Sequence, residues 1–591
     1  MQPRRLLLWL AVAAAVAAGA GLSRWRAHRA QQVTFTRDVA PITLAKCAPC
    51  HRPGEAGPFN LLTYEDVSRK AGQIRKVTGS RFMPPWKPAP GSVAFLGDRS
   101  LTDAQIDVFA RWVQQGTPRG DPADMPPIPK WPEGWRLGQP DLIVQLPRPY
   151  TLRPEGTDIY RNFVIPAAVT GTHYVTAWEF RAGSRAIHHA ILNVDRIGLA
   201  RKRDGQDGEM GFSGMDVGNV QSADGFYLVW APGVVPSPPN PARGWRIDEH
   251  TDLVLQLHMQ PRGKSETINP AVGLYFGDRP PTEHLVSVRV GDSPIDIAPG
   301  DAHYVMQADI TLPTDVDVIS LFPHAHYLAQ TFRSWATLPD HSTRELLRID
   351  AWDFNWQDAY TYVTPVALPA GTVIAMEVVY DNSEANTHNP SHPPRRVQTG
   401  EKSTDEMGNV TFQVIPRGER GEVKLRVAKY EHLLVQADTA RNQYNLANAL
   451  ADDGRVDEAI AHYQRATQLD PALAPAEFNL GNLLLARGDF DGAILHFRAA
   501  RRAQPDHYAA GVNLGHALEG AGRMDEALRT YREVIQADPR NALAHASLGV
   551  ALAHQGDTQG GIRELEAAQA LAPDDARVRA TLDGLRQSPD R

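Results

Sequence analysis

Val318-Ile319-Ser320-Leu321-Phe322-Pro323-His324-Ala325-His326 is a β-branched and apolar run that ends in a His-x-His pair. It reads as a strand, and in extended backbone residues i and i+2 point to the same side, so His324 and His326 present two imidazoles together. Runs of the same texture recur from about 140 to 425, among them Leu142-Ile143-Val144-Gln145-Leu146, Leu253-Val254-Leu255-Gln256-Leu257-His258 and Val373-Ile374-Ala375-Met376-Glu377-Val378-Val379-Tyr380. Pro, Gly and Asp separate them, and no long 3.6-residue stripe interrupts. The middle of the chain is therefore expected to be all-β, built as sandwiches.

A His-x-His pair in a chain with 21 histidines can be two solvent-facing or hydrogen-bonded side chains. The neighbouring runs supply the reason to read it otherwise. His188-His189 opens the strand-like run Ile187 to Val194, His258 ends another, and Met407 follows Ser403-Thr404-Asp405-Glu406. Five histidines and a thioether make two three-ligand sets, and imidazole with thioether suits copper, the soft sulfur favouring Cu(I). Adjacent residues on a regular strand face opposite ways, so His188 and His189 share one ion only at a bulge, bend or strand end. Spacing alone favours one of the two.

The chain has 591 residues, enough for about four domains at roughly 150 residues each. A net charge of −7 gives no signature of a nucleic-acid partner. Residues 1–32 read as a targeting segment: Arg4 and Arg5 precede an apolar run from Leu6 to Leu22. It is expected as a cleaved signal peptide or a retained anchor, placing the protein in a bacterial periplasm or on the outer face of the inner membrane.

Cys47 and Cys50 are the two cysteines, in Cys47-Ala48-Pro49-Cys50-His51. C-x-x-C-H is the pattern of covalent c-type haem attachment, with His51 as the proximal iron ligand. A redox C-x-x-C lacks its βαβ context here, and a zinc site lacks further cysteines. Between His51 and Pro118 there is no other histidine and one methionine, so elimination points to Met83 as sixth ligand, with a lysine or water as the alternative. Thr102 is placed to cap a helix whose stripe is Ile106, Phe109, Ala110 and Val113, ending at Gly116. Residues 33–120 resemble a small class I cytochrome c, and 121–139 read as a linker.

The motifs His188-His189, Gln256-Leu257-His258, His324-Ala325-His326 and Asp405-Glu406-Met407-Gly408-Asn409 resemble, in order and approximate spacing, those of the copper type II, ascorbate-dependent monooxygenases. That family includes the peptide-amidating and dopamine-hydroxylating enzymes. The resemblance implies two jelly-roll-like sandwiches, 140–290 and 291–425, each with one copper. By position, His188, His189 and His258 would hold the electron-donating copper, and His324, His326 and Met407 the copper that binds O2 and abstracts hydrogen. Phe322 stands where the peptide-amidating branch carries an arginine for the substrate carboxylate, which points to an apolar or aromatic substrate. His388, His392 and Asn409 are candidate contacts to substrate or to the ligands. The disulfides of the animal enzymes have no counterpart, because haem claims both cysteines.

The C-terminal part repeats. Pro471, Pro505, Pro539 and Pro573 lie at a constant spacing of 34, Gly454, Gly488, Gly522 and Gly556 mark turns, and Ala459, Ala493, Ala527 and Gly561 hold the close-packing position. Residues 437–591 therefore resemble four tetratricopeptide repeats with a capping helix from Asp575 to about Leu585, a surface for a protein partner. Together these parts describe an exported, multidomain oxidoreductase: two coppers hydroxylate a substrate C–H bond with O2, and one haem relays electrons from an outside donor. The alternative is a non-catalytic haem and copper electron-transfer or copper-handling scaffold that docks partners through its repeats.

Overall fold

The computed structural model describes residues 32–587 except 54, 56, 92, 133, 157, 197, 216, 218–222, 224 and 292; the targeting segment lies outside the described residues, apart from Gln32. Two units make up the chain. One runs to Pro416, and the other begins at Arg417 and takes in the short segment Leu312–Thr314.

The first unit opens with a small helical domain. A helical segment at 35–47 and helices Tyr64–Arg69, Ala71–Gly79 and Asp103–Gln114 enclose Phe35, Val39, Leu61, Val67, Phe109 and Trp112. Thr102 caps the last helix as expected, its hydroxyl accepting from Gln105 N–H while the Gln105 side chain answers the Thr102 N–H.

Two pairs of antiparallel sheets follow. In the first pair, strands Leu142–Gln145, Ala271–Gly277, Thr172–Arg181 and Trp245–Asp248 form one sheet. Phe212–Ser213, Ile159–Pro166, Asp252–Met259, Ile187–Asp195 and Leu228–Trp230 form the other. Val144, Val175 and Leu274 from one sheet meet Phe163, Leu192 and Leu255 from the other in a common core. Strand Asp252–Met259 is central in its sheet and buried at every position, which explains its unbroken apolar texture.

In the second pair the sheet orders are Val286–Gly291, Gly408–Pro416, Val316–Ala325, Tyr360–Leu368 and Tyr304–Thr311, Val373–Tyr380, Ala329–Thr337, Thr343–Ile349. The boundary expected at 290/291 moves: Val286–Gly291 pairs with Gly408–Pro416, so this strand belongs to the second pair. The expected end at 425 moves too, because strand structure stops at Pro416 and helix Gly421–Gln436 belongs to the other unit. The first shift comes from a pairing partner over 100 residues away, which local texture does not report.

The segment 82–99 of the helical domain docks on the second sheet pair. Ala89 N–H donates to Arg348 O, Leu96 N–H to Thr361 O and Val363 N–H to Ala94 O. Phe95 packs on Tyr360 and Tyr362, and Arg99 pairs with the half-buried Asp358 at 2.5 Å.

The second unit is a helical array. Its paired helices run from Ala440–Asp452 and Val456–Leu469 to Ala542–His554 and Thr558–Leu571, closed by Ala576–Gln587. The first helix of each repeat starts about one turn earlier than the motif residues Tyr444, Phe478, Val512 and Ala546. Helix Gly421–Gln436 precedes the expected start at 437 and contributes Val427 to the common core. Gly454, Gly488, Gly522 and Gly556 all take positive φ at the inter-helix turns, which L side chains rarely adopt.

Candidate functional site

The histidines of the first sheet pair come together on neighbouring strands. His258 lies opposite His189, and the pairing slips between Ile187 and His189. That irregularity falls at His188 and resolves the geometric tension in the sequence, since it lets two adjacent side chains turn to one side. The Nδ1 atom of His189 is 3.4 Å from that of His188 and 3.2 Å from that of His258. Two imidazole nitrogens each about 2.0 Å from one ion, at a trigonal or tetrahedral angle, lie about 3.3–3.5 Å apart. The observed spacing therefore fits a shared metal ion.

Proton positions agree with that fit. His258 Nε2 faces Asp158 Oδ1 at 2.7 Å, so the proton sits on Nε2 and the Nδ1 lone pair is free. Burial lowers the His188 pKa to about 3 and holds His189 well below the ordinary value, so both rings are neutral at pH 7. Tyr160 stacks on the His258 ring at 4.3 Å and fixes its plane.

The second cluster is built on strand Val316–Ala325. Pairing with Gly408–Pro416 sets His324 opposite Asn409 and Ala325 opposite Gly408. His326 and Met407 each lie one residue beyond the last of these pairs, at the same end of the two strands. His324 Nδ1 meets Gln357 Oε1 at 2.6 Å and His326 Nδ1 meets Asp405 O at 3.0 Å. Both contacts put the proton on Nδ1 and leave Nε2 as the donor atom. Burial holds both imidazoles below their ordinary pKa. Two imidazoles and a thioether form a soft donor set of the kind copper takes.

Glu406 organises the turn that presents Met407. Its buried carboxylate accepts from the N–H groups of His326, Leu328 and Met407. Burial pushes its pKa up to about 8, against the pull of those donors. Tyr380 donates its hydroxyl to Met407 O at 2.8 Å.

Three further candidates take these places. Phe322 is buried, 5.7 Å from the Tyr227 ring and stacked toward His324 at 6.4 Å, so it packs beside the ligands and does not face open solvent. His388 and His392 are exposed; His392 lies 3.7 Å from Glu384, and His388 borders a recess of about 230 Å³ with Tyr327 and Phe354. Their loop is polar and turn-rich, and its own Asn side chains hold it to the surface. Sequence reasoning missed Asp158, Phe354 and Gln357, which carry no motif and lie 100, 166 and 33 residues from His258, His188 and His324.

In the helical domain Cys47 to His51 form one turn, His51 N–H donating to Cys47 O at 2.9 Å. His51 Nδ1 meets Phe59 O at 3.1 Å, which leaves Nε2 for an iron. Burial pushes the Cys47 thiol up to about 12 and raises Cys50 as well. A side chain on Gly57 would meet His51 Nδ1 at 2.7 Å, so the ring needs glycine there. Cys50 stands in the wall of a cavity of about 1380 Å³ that Trp135, Arg136, Ile187 and Tyr227 also line. These residues fit a covalently attached haem. Met83 is half-buried and tied by its N–H to Val77 O, with its neighbour Phe82 against Trp356.

Comparison with known proteins bears on the C-terminal unit. Tetratricopeptide repeat models match residues 478–542 and 512–576, and a TPR repeat model matches 447–486. No curated protein matches the chain. Among solved structures, the crystal structure of MamA is 21% identical, covering 27% of this chain and 93% of that one at a TM-score of 0.25. Another MamA structure, MSR-1 C2, is 20% identical, covering 26% and 90% at a TM-score of 0.24. The helical array from 447 to 576 is a set of tetratricopeptide repeats.

Proposed function

We propose that the chain is an exported copper-dependent monooxygenase. It hydroxylates a C–H bond of an apolar or aromatic organic substrate with O2, and its electrons arrive through a c-type haem at Cys47, Cys50 and His51. The observation that supports this reading best is the pair of donor sets. Three imidazoles converge through Nδ1 at 3.2 and 3.4 Å, and the strand ending in the His-x-His pair is paired with the strand that Met407 directly precedes. The order of the four motifs adds the resemblance to the ascorbate-dependent copper enzymes and their jelly-roll-like sandwiches.

The balance sets what the protein must provide. One O2, two electrons and two protons convert C–H to C–OH and release one water. Bound copper would supply one-electron redox chemistry and O2 binding. His188, His189 and His258 would hold the electron-storing ion, and His324, His326 and Met407 the ion that meets O2. Asp158 keeps the His258 proton at Nε2, and Gln357 and Asp405 O keep those of His324 and His326 at Nδ1. Phe322 and Phe354 exclude water beside the ligands. Asn409, opposite His324, is the polar group closest in register to the second cluster.

A second reading, a haem and copper electron-transfer scaffold, draws on the tetratricopeptide repeats, whose usual role is to bind protein partners. Metal analysis with an 18O2 experiment separates the two. The monooxygenase reading expects two coppers and one haem per chain, with one labelled oxygen in the product. Copper and haem with no label in any product favours the scaffold, and zinc in place of copper overturns both.

A further inference from the structure

The two histidine clusters are joined by one aromatic ring. Phe354, 4% exposed, belongs to the loop after strand Thr343–Ile349 of the second sheet pair. Its ring stacks on His188 of the first cluster, with centroids 4.8 Å apart and planes 17° apart. The same ring meets His326 of the second cluster edge-on at 5.7 Å. Tyr327 backs it at 4.4 Å. The loop is held on both sides. Gln357 Nε2 donates to Phe354 O at 3.0 Å while its Oε1 accepts from His324 Nδ1–H. Asp353 pairs with Lys87 and Asp358 with Arg99, both from the docked segment of the helical domain.

A ring in van der Waals contact with a ligand of each cluster replaces solvent by bonded and close-packed atoms along the line between them.

We propose that Phe354 is the positioning residue for electron transfer between the two metal sites, holding His188 and His326 in one packed path. The inference rests on the reading of both clusters as copper sites. Bound copper would supply the chemistry, a one-electron exchange: the ion that His188, His189 and His258 would hold would lose one electron to the ion that His324, His326 and Met407 would hold. No bond forms or breaks, and no proton need move.

The test uses the full-length, copper-loaded protein with Phe354→Leu and Phe354→Tyr. Leucine keeps apolar bulk without the ring, and tyrosine keeps the ring. A substoichiometric electron pulse followed by freeze-quench electron paramagnetic resonance reads redistribution of oxidised copper between a three-imidazole and an imidazole-thioether environment. Pulsed spin–spin measurement on the fully oxidised protein reads the distance between the two ions. The expected result is transfer slower by about tenfold or more in the leucine variant, equivalent to about 1.4 kcal/mol of barrier, with copper content and distance unchanged and the tyrosine variant near wild type. Wild-type transfer in the leucine variant with both coppers bound overturns the role of Phe354 alone. A slower rate with a lengthened distance overturns it too, since the ring would then act as a spacer. Wild-type protein that binds no copper at either cluster overturns the copper reading itself.

Discussion

The Ser403 hydroxyl donates to Asp158 Oδ2 at 2.6 Å, so a loop of the second sheet pair grips the carboxylate that orients His258 in the first. Asp158 and Ser403 are 245 residues apart, and their contact ties the backing of one histidine cluster to the turn that carries Met407.

Asp158→Asn tests that tie at the metal. The amide can present its NH2 to His258 Nε2, which moves the imidazole proton onto Nδ1 and removes the donor lone pair. Loss of such a partner lowers metal affinity by about 10–100-fold. Competitive copper titration is expected to show this weakening at the first cluster while the second keeps its affinity. Equal weakening at both would mean that Asp158 acts on the fold and not on His258. Ser403→Ala removes one hydrogen bond to a charged group, worth about 1.5–3 kcal/mol, and should lower stability more than it lowers affinity.

Gln357→Leu makes the mirror experiment at the second cluster. His324 Nδ1–H would lose its acceptor in a buried place, and the ring would be free to rotate away from its face of the strand. Copper retention is expected to fall at the His324, His326 and Met407 set by about 10–100-fold, with the three-imidazole signal intact. Metal content after dialysis against a chelator, with the resonance spectrum of the remaining copper, gives the answer. Loss of the three-imidazole signal first would contradict the assignment.

Much of this arrangement was legible in the sequence because it is local. The His-x-His pair, the C-x-x-C-H turn, the Thr102 cap and the period of 34 each depend on residues within one element or one repeat. His188 and His189 mark the limit. Strand alternation argued against using both, and only the pairing slip opposite His258 brings them to one point. Asp158, Phe354 and Gln357 reach their histidines across 100, 166 and 33 residues respectively, counted to His258, His188 and His324. Their positions follow from tertiary packing. The place of strand Val286–Gly291 in the second sheet pair follows from packing in the same way, since its partner is Gly408–Pro416.

Arg99 and Asp358 form an ion pair with side chains 15% and 14% exposed, and Arg99 also donates to Gly233 O and Pro85 O. Burial raises the Asp358 pKa, with Arg99 opposing that shift. Removing one member leaves an uncompensated buried charge, so Arg99→Met is expected to cost about 3–5 kcal/mol. Replacing both with apolar residues should recover most of that loss. Chemical denaturation of the single and double variants measures it, and a double variant no better than Arg99→Met would show that the carbonyl contacts of Arg99 dominate.

Two glycines in helices predict opposite outcomes from the same substitution. Gly515 lies under the Tyr531 ring, and a Cβ there would stand 2.2 Å from Tyr531 Cε1. Tyr531 is fully buried and hydrogen-bonded to Glu519, so it has no free direction in which to yield. Gly515→Ala is therefore expected to destabilise its repeat by about 1–3 kcal/mol through overpacking. Gly72, inside helix Ala71–Gly79, has nothing within 4 Å of the same added atom. Gly72→Ala should stabilise by about 0.5–1 kcal/mol, because alanine restricts the unfolded chain and adds no clash. Because each repeat packs chiefly on its neighbours, hydrogen exchange in Gly515→Ala should quicken in helices Tyr508–Gly520 and Met524–Ala537 and fade with distance along the array. Uniform acceleration through all repeats would mean that the array unfolds as one cooperative block.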